Sequence, residues 1–117
     1  MSRIMSVARF RIHPGKTEDF TTLAAECVRL VRQHDPGTSL YEWFINEDRT
    51  ECIAIDSYAS SEAVLAHIRN VGPTMRKLRQ LADVSFLLGR LREEKLERVR
   101  LIFPAELRDA VASAVGS

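Results

Sequence analysis

Apolar and polar residues alternate and recur along this chain with periods that change sharply at a few turn signals. From Ile4 to Ile12 the run IMSVARFRI is rich in β-branched and aromatic residues and stops at His13-Pro14-Gly15, which predicts a strand closed by a turn. From Lys16 to His34 the apolar positions Phe20, Leu23, Ala24, Cys27, Leu30 and Val31 recur at three and four. That is the period of an amphipathic helix, and Glu18 and Asp19 occupy its first turn, where the helix dipole favours carboxylates. Pro36 and Gly37 in HDPGT end it. Leu40 to Ile45 and Cys52 to Tyr58 then read as two strands joined by NEDRT, a loop short enough for an antiparallel hairpin. Ser60 or Ser61 caps a second helix, Val71-Gly72-Pro73 is expected to break it, and Thr74 to Ala82 is expected to form another helical piece.

The last third has two competing patterns. VSFLLGRL, residues 84–91, has strand-like content, yet Val84, Leu87, Leu88 and Leu91 also fit helical spacing. In RVRLIF, Val99, Leu101 and Phe103 alternate with Arg98, Arg100 and Ile102, which is the cleaner strand pattern, so 98–103 is expected to be the fourth strand. Pro104 opens a short C-terminal helix with Leu107, Val111, Ala114 and Val115 on one side. The order βαββαβ predicts an α+β sandwich, two helices on one face of an antiparallel sheet in the ferredoxin-like arrangement. Residues 1–103 are expected to form this domain and 104–117 its helical extension.

The sheet's second face has a chemistry of its own. Pairing the hairpin symmetrically about Asp48 puts Tyr41, Trp43, Ile45, Ile53 and Ile55 on one face and Leu40, Glu42, Phe44, Cys52, Ala54, Asp56 and Tyr58 on the other. Both faces are too apolar to be left wet, so one is expected to meet the helices and the other a second copy of the chain.

Composition narrows the function classes. The 117 residues are 45% hydrophobic and 28% charged, as in a globular domain, and the formal net charge of +1 calls for neither nucleic acid nor an anionic membrane. Arg90, Arg92, Lys95, Arg98 and Arg100 are offset by Glu93, Glu94 and Glu97, and the interleaved Gly and aromatic residues of an RNA-binding strand are missing. Charges interrupt every apolar run of the N-terminal stretch, and no segment has the apolar length of a membrane span. Cys27 and Cys52 stand in separate elements, without disulfide or metal-knuckle spacing. A cytoplasmic protein is expected. No nucleophile motif or phosphate-cradling glycine loop occurs among the scattered glycines, which sets aside hydrolase and nucleotide-dependent readings.

HPGK at the end of the first strand, DF opening the helix, then HDPGT, YEWF, NED, Tyr58-Ala59 and SSEAVLAHIRNVGP resemble, in that order, the antibiotic biosynthesis monooxygenase-like domains. The resemblance spans residues 4–73, returns in LERVRLIFPAELRDAV (96–111) and is poor between them. It implies a dimeric α+β barrel, and oxygenation of an electron-rich phenol or quinol by O2 with no metal or flavin cofactor, in a pocket between the sheet and helices of each subunit. The connection 74–97 is longer than the family's usual one. A ligand-binding or stress-related dimer of this fold without turnover is the alternative, and haem binding or degradation a third.

Cofactor-free oxygenation requires a base in an apolar hole, to deprotonate the phenol away from bulk water. His67, three residues after Val64 and bordering the apolar stripe of its helix, is the candidate, because imidazole takes up a proton near neutral pH. A satisfied core or interface histidine explains it as well. Trp43 and Phe44 can stack on an aromatic substrate or simply fill the core. Glu42 and Asp56 on one face would form a carboxylate pair with one raised pKa, or a solvated couple. Tyr58 and Asn46 can hydrogen-bond a quinone oxygen, although a turn role suffices for Asn46. His13 beside its turn proline, His34 at a helix end, and the two cysteines as small hydrophobes have structural explanations.

Overall fold

The computed structural model describes residues 3–91 and 101–102. β1 (Ile4–Ile12), α1 (Thr17–His34), β2 (Thr38–Ile45), β3 (Glu51–Tyr58), α2 (Ser61–Arg79), β4 (Ala82–Leu91) and β5 (Leu101–Ile102) follow one another, and the antiparallel sheet has the order β2-β3-β1-β4-β5. This is the ferredoxin-like α+β fold expected from the element order. No helix of the described residues is long and apolar enough to cross a membrane.

β1 lies at the centre with partners on both sides, and its side chains alternate accordingly. Ile4, Ser6, Ala8, Phe10 and Ile12 are buried under the helices, while Arg9 and Arg11 point the other way. α1 contributes Phe20, Ala24, Cys27 and Val31 to the same layer. Phe10 is the hub: its ring stacks on Trp43 at 5.1 Å and meets Phe20 edge-on at 5.3 Å.

Three expectations are corrected. α2 runs unbroken through Pro73. Proline removes one helical hydrogen bond, but Gly72 before it has no Cβ to meet the ring, and Val71, Thr74, Met75 and Leu78 continue the buried stripe on both sides. The fourth strand is 82–91 and not 98–103, because β1 needs a second partner and finds it in register from Ile12 opposite Ala82 to Ile4 opposite Arg90. Leu101 and Ile102 add a two-residue fifth strand, and the expected helix from Pro104 lies outside the described residues.

The third correction is the hairpin register. Ile45 pairs with Cys52 and Phe44 with Ile53, one residue away from symmetry about Asp48. Asn46 sets this: its side-chain Oδ1 accepts from the backbone N–H groups of Thr50 and Glu51 at 2.9 and 3.0 Å, and Arg49 takes a left-handed φ of 58° to close the loop. A one-residue slip exchanges the faces of every side chain. Tyr41 and Trp43 therefore lie under the helices with Ala54, Asp56 and Tyr58, whereas Leu40, Glu42 and Phe44 share the outer face with Ile53 and Ile55.

Candidate active site

His67 sits on the buried stripe of α2 itself, between Val64 and Val71, and is 5% exposed. Ser60 starts this helix by accepting a hydrogen bond from the Ala63 N–H at 3.1 Å, which places residue 67 one turn further, over the sheet. The imidazole packs against the rings of Tyr41 and Tyr58, each with its centroid 5.2 Å away. Its Nδ1 is 2.8 Å from Asp35 Oδ2, and its Nε2 is 3.7 Å from Asp56 Oδ2.

Asp56 and Tyr58 reach this position because alternate residues of β3 share the helix-facing side, and Tyr41 stands directly across from Asp56 on β2. The Tyr58 hydroxyl donates to Asp56 Oδ2 at 2.5 Å. Burial pushes the Asp56 carboxyl up to about 6, against the Tyr58 hydrogen bond and the His67 charge, which both pull it down. Burial and the Asp56 charge raise the Tyr58 phenol well above its ordinary value, so Tyr58 is a hydrogen-bond donor and not an anion. Burial likewise pushes the Cys27 thiol up to about 12 and Cys52 to about 11, which fits small hydrophobes and not nucleophiles. Among the described residues, Asp35 Oδ1 and Asp56 Oδ1 have no hydrogen-bond partner.

Of the residues singled out from the sequence, His67, Asp56 and Tyr58 come together. Trp43 belongs to the Phe10 stack and is separated from His67 by Tyr41, whose ring lies 5.9 Å from that of Trp43. Phe44 is 53% exposed on the outer face, and Glu42 lies on that face too, so the expected Glu42–Asp56 carboxylate pair does not form. Asn46 has the turn role that suffices for it. His13 pairs at the surface with Asp83, its Nε2 3.0 Å from Oδ1. Two members of the cluster were missed. Asp35 follows a helix end and precedes a proline, which reads only as a stop signal, and Tyr41 was hidden by the wrong register. Among the described residues no group of three or more His, Cys, Asp or Glu side chains is arranged to hold a metal ion.

Chemically, the cluster is a buried imidazole between two carboxylates, one of which titrates near neutral pH. It can accept a proton, hold it and return it. That capacity has a stability cost with a definite sign. An ordinary Asp ionises near 3.8 and folded Asp56 at about 6, so between these values the folded chain retains a proton that the unfolded chain has lost. Asp56 therefore makes unfolding easier as pH rises through this window, by about 2–3 kcal/mol once the folded carboxyl has ionised. Asp56→Asn is expected to be more stable than wild type by about 2 kcal/mol in urea unfolding at about pH 7, and equal to it near about pH 4. An unchanged difference across that range would show that Asp56 does not titrate in the window.

Comparison with known proteins bears on the fold that carries this cluster. The family model described as antibiotic biosynthesis monooxygenase matches residues 3–78. No curated protein matches the chain. Among solved structures, MupZ from Pseudomonas fluorescens is 21% identical with a TM-score of 0.73, over 97% of this chain and 84% of its own. SnoaB from Streptomyces nogalater, a cofactor-independent oxygenase, is 20% identical with a TM-score of 0.67, over 84% of this chain and 100% of its own. A conserved protein of unknown function from Bacteroides thetaiotaomicron, described as a possible oxidoreductase, is 16% identical with a TM-score of 0.69, over 76% and 97%. At these identities the likeness is one of fold.

Proposed function

The chain belongs to the antibiotic biosynthesis monooxygenase family, and on that premise we propose that it is a cytoplasmic, cofactor-independent monooxygenase of a small quinol or phenol, with His67 as the base. The observation that carries this reading is the imidazole buried between Asp35 and Asp56. SnoaB, a cofactor-independent oxygenase of the same fold, supports it.

The reaction balances without a cofactor: quinol and O2 give hydroxyquinone and water. His67 takes the phenolic proton, and the phenolate gives one electron to O2. The resulting superoxide and ring radical combine in a C–O bond. The peroxide anion so formed takes back the proton that His67 holds, the O–O bond of the hydroperoxide breaks as the ring carbon gives up its hydrogen as a proton, and the departing hydroxide leaves with that proton as water. Burial serves this sequence by keeping bulk water from the reactive oxygen species. Haem binding through His67 fits less well, because the Nε2 that would have to hold the iron faces the Asp56 carboxylate 3.7 Å away.

The test is oxygen uptake by the purified, metal-stripped protein against a panel of quinols and polyphenols, with 18O2 incorporation into the product. Labelled product above the autoxidation rate is expected. Uptake at the autoxidation rate across the panel would overturn the reading in favour of a ligand-binding dimer.

The working form in this proposal is a homodimer. On the outer sheet face Phe44, Ile53 and Leu87 are 53%, 39% and 41% exposed, and Ile55 and Val7 lie beside one another between Glu42 and Leu87. An apolar face of this kind is suited to an isologous contact with a second copy. Phe44→Glu, which places a charge on each side of that contact, is expected to raise the dimer dissociation constant about 100-fold or more, read by sedimentation. An unchanged constant would move the interface elsewhere.

A further inference from the structure

We infer that Asp35 is the positioning residue of the site: it holds His67 as the Nδ1–H tautomer and leaves Nε2 as the nitrogen that exchanges protons. The inference rests on the reading of His67 as base, and extends it to a residue whose side chain is 32 positions away in sequence and 1% exposed.

Asp35 Oδ2 lies 2.8 Å from Nδ1. With the carboxylate oxygen as the acceptor of this contact, the shared hydrogen belongs to the nitrogen. On the other side Nε2 is 3.7 Å from Asp56 Oδ2, too far for a hydrogen bond, and that oxygen is already engaged by the Tyr58 hydroxyl. The groups that face the imidazole are thus Asp35 from the end of α1, Asp56 and Tyr58 from β3, and Tyr41 from β2. Of these, Asp35 makes the direct hydrogen bond to the ring.

The chain around Asp35 is built to hold it there. Its own N–H donates to the Val31 carbonyl at 3.0 Å as the cap of α1, and its carbonyl accepts from Thr38 at 3.1 Å across Pro36-Gly37. Gly37 then lies against the first turn of α2: a Cβ on it would stand 2.6 Å from Ala63 Cβ, and its carbonyl accepts from the Ala59 N–H at 3.1 Å. Ala63 is one helical turn before His67. The glycine lets the turn that carries Asp35 dock directly beneath the imidazole.

The experiment is 15N NMR of the full-length protein labelled at histidine, at a pH above the ordinary histidine range, with Asp35→Asn and Asp35→Glu beside the wild type. The wild type is expected to show His67 protonated at Nδ1 and bare at Nε2. In Asp35→Asn the new amide donates to Nδ1 and the proton is expected at Nε2, with turnover lower by about 100-fold or more and an unchanged circular dichroism spectrum. Asp35→Glu is expected to keep the Nδ1–H form and more of the turnover than Asn. A wild-type His67 that is protonated at Nε2, or at both nitrogens, overturns the inference from the wild type alone, even if neither variant folds. So does an Asn variant that exchanges the tautomer and keeps full turnover. Absence of oxygen uptake by the wild type would instead sink the functional reading, while the tautomers of wild type and variant still decide whether Asp35 sets that of His67.

Discussion

Phe10→Ala is expected to remove about 3–5 kcal/mol of stability, a large part of what a domain of this size has. Phe10 is fully buried at the centre of the middle strand, between the Trp43 ring at 5.1 Å and the Phe20 ring at 5.3 Å. Those rings hang from β2 and α1, so neither can follow the missing side chain without moving its element, and a cavity remains. The measurement is the urea midpoint, together with the near-ultraviolet dichroism of Trp43, the single tryptophan of the chain. Phe10→Leu keeps most of the volume and is expected to lose less than half as much. Equal losses for Ala and Leu would show that the stacked geometry, and not the filled space, holds the three elements together.

The parts of this fold that were legible in the sequence are those where one local signal decides. β1 is followed by the turn signal His13-Pro14-Gly15, and α1 has an uninterrupted three-and-four spacing, so the bounds that the sequence predicts for both lie close to those observed. Where two signals compete, tertiary context decided. In α2 the breaker pair Gly72-Pro73 lost to a buried stripe that continues beyond it. In residues 84–91 helical spacing competes with β-rich content, and the open edge of β1 settles it, an edge far upstream in the sequence that no local window includes. The hairpin is the most instructive case. Its two strands were found, but their register depended on which residues one asparagine side chain would bind, and the slip of one position moved Phe44 and Glu42 out of the candidate site and brought Tyr41 in.

The site shows the same division. His67 was visible as a rare titratable residue at the spacing of a buried stripe, and Asp56 and Tyr58 as alternate residues of one strand. Asp35 was not, because nothing in HDPGT distinguishes a carboxylate that ends a helix from one that also reaches a ring on another element. The bond between them exists only once Gly37 lets two backbones approach. A buried pair of this kind is an uneconomical way to stabilise a core, since hydrophobic residues of similar volume do as well or better. Beside it, burial raises the Asp56 carboxyl to about 6, so this part of the core is held together at a cost in stability.

His67→Asn is expected to lower oxygenation by about 100-fold or more while leaving the fold and the dimer intact. Asparagine is the informative substitution because its amide N–H stands near the position of Nδ1 and can still donate to Asp35, whereas no atom of it replaces Nε2 as a base. Alanine would confound the result: it leaves the Asp35 carboxylate, 1% exposed, without its hydrogen-bond partner, and stranding a buried charged group in this way costs about 3–5 kcal/mol, enough to unfold a marginal domain. The comparison therefore runs in two measurements. If the unfolding free energies of Asn and wild type in urea agree within about 1 kcal/mol and quinol-dependent oxygen uptake collapses, the imidazole acts in the chemistry. If uptake per folded molecule stays within a few-fold of wild type, His67 is a core histidine, its two carboxylates serve only to keep it there, and the base must be sought elsewhere in the subunit.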